Sequence, residues 1–122
     1  MKKELIYIAA PYSHPNSEVR EGRLRMVSYY AFTLHKKGIF AYSPLTHDIN
    51  LAKFGMGDNF ADWEEFDLLM LSKCDKLYVL KFPGWEDSVG VTAEIKKAKE
   101  LKIPIEEINL DSGIFNTIKN KE

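Results

Sequence analysis

Apolar and polar residues follow one another along this chain in blocks that switch between strand-like and helix-like patterns. Leu5-Ile6-Tyr7-Ile8-Ala9-Ala10 is an unbroken apolar run, the pattern of a strand buried on both faces. Pro11 ends it, and Pro11 to Ser17 reads as a loop from its Pro, Ser and Asn content. Asn16 or Ser17 can cap the helix that follows, which carries Leu24, Val27, Ala31 and Leu34 on one face and stops at Gly38. Ile39 to Ser43 is a second strand, cut off by Pro44. Leu45 to Asp58, with Thr46, His47, Asp48, Asn50 and two glycines, then reads as a loop. It is far longer than the roughly 2–6 residues usual between strand and helix, which makes it a candidate substrate lid. A second helix runs from about Asn59 to Lys73, with Phe60, Trp63, Met70, Leu71 and Cys74 as its stripe. Leu77 to Phe82 is the third strand, and a Pro83-Gly84-Trp85 turn leads into a helix ending near Leu101. Ile103 to Ile108 is a fourth strand whose Pro104 is tolerated near its start or on an edge.

Strands alternating with helices at this spacing imply right-handed crossovers. The expected fold is α/β, a flavodoxin-like or Rossmann-like doubly wound parallel sheet of four to five strands. Residues 1–110 form the expected domain, followed by a polar tail, 111–122. In such a fold the carboxyl ends of strands one, two and three converge on one crevice. Tyr7 to Ser13, Ser43 to Asp48 and Trp85 to Glu94 would line it, which makes Ala9, Pro11, Tyr12, Ser13, His47, Trp85, Asp87, Ser88 and Gly90 candidate substrate contacts.

Two carboxylates break the apolar pattern. Val91, Ile95, Ala98 and Leu101 make the stripe of the last helix, and Glu94 falls about 40° from its centre at 100° per residue. Asp67 lies within about 10° of the centre of the preceding helix's stripe. An unpaired buried carboxylate costs several kcal/mol, so each needs a partner or a chemical task. The bland partner is a buried Lys, Arg or Tyr hydroxyl. The chemical task is a division of roles, one group ionised as nucleophile and the other raised in pKa as acid. Ser88 reads equally as the helix cap and as a substrate contact, since a helix N-terminus offers free N–H groups. Tyr7 sits inside a strand, and its buried hydroxyl would be served by a nearby carboxylate.

Composition narrows the rest. The chain has 122 residues, enough for one core, and a net charge of −1, which gives no electrostatic reason to expect a nucleic-acid polymer or an anionic membrane. No apolar run approaches the roughly 18 residues of a span, and the N-terminus does not resemble a signal peptide, so the expected compartment is the cytoplasm. The single cysteine, Cys74, excludes an internal disulfide and a cysteine metal cluster, and His14, His35 and His47 lack metal-ligand spacing.

These residues resemble the nucleoside 2-deoxyribosyltransferase superfamily, which includes the 2′-deoxynucleoside 5′-phosphate N-hydrolases. The resemblance is carried by the first strand with Tyr7, the block Asp67 to Asp75 before a strand, and Ser88-x-Gly90-x-x-x-Glu94, and it spans roughly residues 5 to 108. It implies that Glu94 attacks the anomeric carbon of a deoxyribosyl or ribosyl group, that Asp67 assists at the leaving base, and that Tyr7 positions Glu94. It further implies a glycosyl-enzyme ester, no metal or organic cofactor, a nucleoside or nucleoside monophosphate as substrate, and a homodimer or larger assembly. Tyr29, Tyr30, Phe32 and the surroundings of Trp63 could supply its contact surface. Ser at position 88 accords with the monophosphate branch of that superfamily. The first loop, Ala10-Pro11-Tyr12-Ser13, lacks the cation that branch places there, so Arg20 or Arg23 would have to replace it. A catalytically silent nucleotide-binding or sensor domain of the same fold is the rival expectation.

Overall fold

The unbroken apolar run of the first strand hides a two-fold alternation, and that alternation builds the core. In the computed structural model, which describes residues 3–110, β1 is Leu5–Ala9. Tyr7 and Ala9 enter one apolar cluster, and Ile8 and Ala10 enter another on the opposite face. Both faces of the strand are therefore buried, as its composition requires. The chain continues through α1 (Ser17–Lys36), β2 (Phe40–Tyr42), α2 (Pro44–Ala52), α3 (Phe60–Ser72) and β3 (Lys76–Leu80). After a single tight helical turn at Trp85–Asp87 come α4 (Val89–Glu100) and β4 (Ile105–Ile108).

The four strands are parallel and ordered β2-β1-β3-β4, with Tyr7 level with Tyr42 on one side and Leu77 on the other. Val27, Tyr30 and Leu34 of α1 cover one face of the sheet. Leu71 of α3, Cys74 just beyond it, and Val91 and Ala98 of α4 cover the other. This is the expected doubly wound α/β fold, with four strands among the described residues. The direction of winding reverses between β1 and β3, so a crevice opens at their carboxyl ends.

Caps fix the helix starts. Asn16 Oδ1 accepts from Glu18 N at 2.8 Å, Asn59 and Asp62 form a reciprocal capping box, and Ser88 Oγ accepts from Val91 N at 3.2 Å. Asp75, at the junction into β3, accepts from Leu5 N at 2.8 Å and so ties the end of the α3 segment to the start of β1.

One expectation is corrected. Leu45 to Asp58 is not a long lid-like loop, because Pro44–Ala52 is helical. Pro44 occupies the first turn, where its missing N–H costs nothing, and Ser43 Oγ caps it by accepting from Thr46 N at 3.2 Å. Residues 53–59 remain as the connection. Trp63 Nε1 donates to Gly57 O at 2.7 Å and pins that segment to α3. The expected tail, 111–122, lies outside the described residues.

Candidate active site

The site starts from strand parity. Because Tyr7 belongs to the face covered by α3 and α4, its hydroxyl points toward those helices, and there it donates a hydrogen bond to Glu94 Oε2. Tyr7 is fully buried and Glu94 is 4% exposed. Asp67, on the facing side of α3, is 5% exposed. The two helices approach closely at Gly90, where a Cβ would stand 3.1 Å from Phe60 Cδ1. Gly84 makes the turn before α4 in the left-handed region, at φ +94°, where a side chain would be strained.

A cavity of about 500 Å³ opens over these groups. Its walls are the 10–14 loop, the first turns of α2 and α3, residues 58–59, and the 84–90 turn into α4. Of the residues expected at the site, Asp67, Glu94, Pro11, Tyr12, Ser13, Asp87, Ser88 and Gly90 line it. Tyr7 reaches it through Glu94. Ala9, His47 and Trp85 are outside the lining. Ala9 is fully buried in the sheet, and Trp85 carries Lys81 Nζ 5.7 Å above its ring. His47 stacks on Phe66 at 5.3 Å between centroids.

A third carboxylate joins the pair. Asp48, on the inner face of α2 and 3% exposed, lines the same cavity and hydrogen-bonds His47 Nδ1 through its Oδ1 at 2.6 Å. A loop over Leu45 to Asp58 leaves Asp48 as one polar residue at the end of the stretch expected to line the crevice, not as a buried acid. Read as a helix, Pro44 and Asp48 fall one turn apart on the face that also buries Ile49.

Burial governs the protonation of this cluster. It pushes the Asp67 carboxyl up to about 9, helped by a hydrogen-bonding contact with Asp48 and by repulsion from Asp48 and Glu94. Burial likewise pushes Glu94 up to about 8. The Tyr7 hydrogen bond opposes that rise, and repulsion from Asp48 adds to it. Tyr7 is raised well above the usual phenol range, by burial first and Glu94 next, so it remains a donor. The Tyr42 hydroxyl, raised by burial and then by Asp48, and Asp67 Oδ1 are both buried with no hydrogen-bond partner among the described residues. Such atoms are costly unless a ligand or a shared proton satisfies them. The arrangement can thus hold a proton on Asp67 while the Glu94 carboxyl, steadied by Tyr7, ionises first.

The arginines expected as phosphate ligands are engaged elsewhere. Arg20 Nη1 donates to the carbonyls of His14 and Pro15. Arg23 donates to Ser13 O at 2.9 Å and to Pro83 O at 2.8 Å, bracing the first loop against the turn after β3. Among the described residues Arg23 is the single Lys or Arg in the cavity wall, against the five carboxyl groups of Asp48, Asp58, Asp67, Asp87 and Glu94. Among the described residues no group of three or more His, Cys, Asp or Glu could hold a metal ion, and no helix is long and apolar enough to cross a membrane.

The sequence profile of DUF1937, a domain of unknown function, matches residues 4–109. The chain belongs to that family. Among solved structures, it is similar to a 2-deoxyribosyltransferase from the psychrotolerant bacterium Bacillus psychrosaccharolyticus, described as a suitable biocatalyst for the synthesis of nucleosides. The likeness has a TM-score of 0.62 at 20% identity, over 97% of this chain and 92% of that one. This DUF1937 domain therefore has the nucleoside 2-deoxyribosyltransferase-like fold. No curated protein sequence matches it.

Proposed function

We propose that this DUF1937 protein is an enzyme that cleaves the N-glycosidic bond of a nucleoside, with Glu94 as nucleophile and Asp67 as the acid at the departing base. The observation that carries the reading is a buried carboxylate, Glu94, hydrogen-bonded by a buried tyrosine hydroxyl, in the wall of a cavity that also holds the raised carboxyl of Asp67. In this mechanism ionised Glu94 attacks the anomeric carbon, Asp67 protonates the base, and a glycosyl ester forms. Water then opens the ester, so hydrolysis is favoured over transfer to a second base.

Glu94 fits the nucleophile because Tyr7, its donor among the described residues, stabilises the anion that attacks and leaves. The excess of carboxyl groups and the commitment of Arg23 to carbonyls favour an unphosphorylated substrate over a 5′-monophosphate. Ser88 then acts at the sugar end alongside its cap, with Asp87, Gly90 and the 11–13 loop beside it. The test is release of free base from a panel of nucleosides and their monophosphates, with Glu94→Ala as control. Base release that survives Glu94→Ala removes the mechanism, and a panel with no turnover supports a silent binding domain instead.

A further inference from the structure

Asp48, His47 and the orphaned oxygen of Asp67 have no assigned task in that scheme, yet they are contiguous. Asp48 is 3% exposed and Asp67 5%, both carboxyl groups line the same cavity, and the nearness of Asp48 helps to raise the Asp67 carboxyl. Two carboxylates in contact can form a hydrogen bond only if one of them carries a proton. Asp67 Oδ1 is buried with no hydrogen-bond partner among the described residues, so it is open to a shared proton. On its other side Asp48 binds His47 Nδ1 at 2.6 Å, and the His47 side chain is 41% exposed. The imidazole is oriented by stacking on Phe66 at 5.3 Å and by the edge of Trp63 at 6.1 Å. A hydrogen bond therefore joins the half-exposed His47 to Asp48, which lines the same cavity as the buried acid Asp67.

We propose that Asp48 and Asp67 share one proton and that His47 replenishes it from solvent, forming a relay that protonates the leaving base. The inference rests on the glycosidic reading above and extends it. As the C1′–N bond breaks, its electron pair departs with the base, a Glu94 oxygen bonds C1′, and the Asp67 proton moves to a base nitrogen. Asp48 and Asp67 are then both anionic. His47 gives its Nδ1 proton to Asp48, which passes a proton on to Asp67, and the imidazole recovers a proton from water. When water opens the ester, its oxygen bonds C1′, Glu94 leaves as the carboxylate, and the surplus proton returns along the same chain. Neighbouring groups set the balance: Tyr7 from β1, Tyr42 from β2, Glu94 from α4 and Cys74 at the end of α3 all face the cluster. Asp48 and His47 act here through Asp67 and are positioning residues.

Two measurements on the full chain test this. In carboxyl-carbon NMR titrations, Asp48→Asn should lower the Asp67 midpoint by about one pH unit or more, since it removes the repelling charge. An Asp67 titration that is the same in the isosteric variant overturns the shared proton, whatever the enzyme does. In base-release assays, His47→Ala should lower kcat by about tenfold or more with KM little changed, and added imidazole should restore it. An unchanged kcat, or a loss that imidazole does not repair in a folded variant, overturns the relay. If the wild-type chain releases no base, the functional reading fails and the relay with it, while the NMR titration still decides the shared proton.

Discussion

Replacing Glu94 by Gln should make the protein more stable above pH 5 while abolishing the proposed base release. Glu94 is 4% exposed, and burial lifts its carboxyl from the ordinary 4.5 to about 8. Below pH 4.5 both folded and unfolded chains hold the proton, so the group contributes no pH dependence. Between 4.5 and about 8 only the folded chain holds it, and stability falls as pH rises. From 4.5 to pH 7.5 the interval is about 3 pH units, which at 1.36 kcal/mol each makes a loss of about 4 kcal/mol. Gln keeps the shape, accepts the Tyr7 hydrogen bond and has no charge to lose. Asp67, also raised, adds a dependence of the same sign in both proteins and largely cancels in the difference. Urea unfolding at pH 5 and pH 7.5 measures the effect. Glu94→Gln should match the wild type within about 1 kcal/mol at pH 5 and exceed it by about 4 kcal/mol at pH 7.5. A difference that does not change with pH, or a variant less stable at pH 7.5, would refute the assignment of a strongly raised, buried Glu94.

Further outcomes follow from the same geometry. The pH profile of kcat/KM should rise as Glu94 ionises near 8 and fall as Asp67 ionises near 9, an alkaline optimum read directly from initial rates. Tyr7→Phe deletes a hydrogen bond that lowers Glu94, worth about 1.5–3 kcal/mol to a charged acceptor, so the rising limb should move up by about one to two pH units. Gly84→Ala forces a side chain into φ +94° with its Cβ 3.0 Å from Arg23 Nη2, and should lower stability by about 1–3 kcal/mol in urea titrations. A 5′-phosphate should raise KM relative to the free nucleoside, and Asp87→Asn should narrow the gap by removing one carboxylate from the cavity wall. Equal KM values for both substrates would set aside the electrostatic preference.

Most of the fold was legible because each element carries its own punctuation. Pro11, Gly38 and Pro44 close strands or helices, and Asn16 and Ser88 cap the helices expected of them. Glu94 and Asp67 stood out for a physical reason: a charge in the middle of an apolar stripe contradicts its surroundings, and the contradiction is visible in one dimension. Asp48 did not stand out, because α2 spans only Pro44–Ala52, too short for its period to rise above the polar residues on its outer face. The cue was the Ser43-Pro44 pair. A proline after a strand was read as a stop, but preceded by a capping serine it is also the start of a helix.

The placement of Tyr7 shows how a site can depend on the parity of one strand. Odd positions of β1 face α3 and α4, and even ones face α1, so Tyr7 and Ala9 lie with Leu71 and Val91 while Ile8 lies with Val27 and Leu34. A slip of one residue in β1 would carry the hydroxyl to the α1 side of the sheet. Glu94 would then be buried without its donor, its carboxyl would rise further, and the proposed nucleophile would be lost without any change to its own helix. The register that prevents this is held at both ends. Tyr7 pairs with Leu77 and Tyr42 across the sheet, and the Asp75 carboxylate fixes Leu5 N at 2.8 Å. Asp75 thereby acts on Glu94 from the far end of the strand. Asp75→Ala, which frees that end, should weaken base release as well as stability, whereas removal of the exposed Lys81–Glu107 pair, 3.3 Å apart between β3 and β4, should leave base release unchanged. Comparing base release with urea midpoints for the two variants separates register from general loosening.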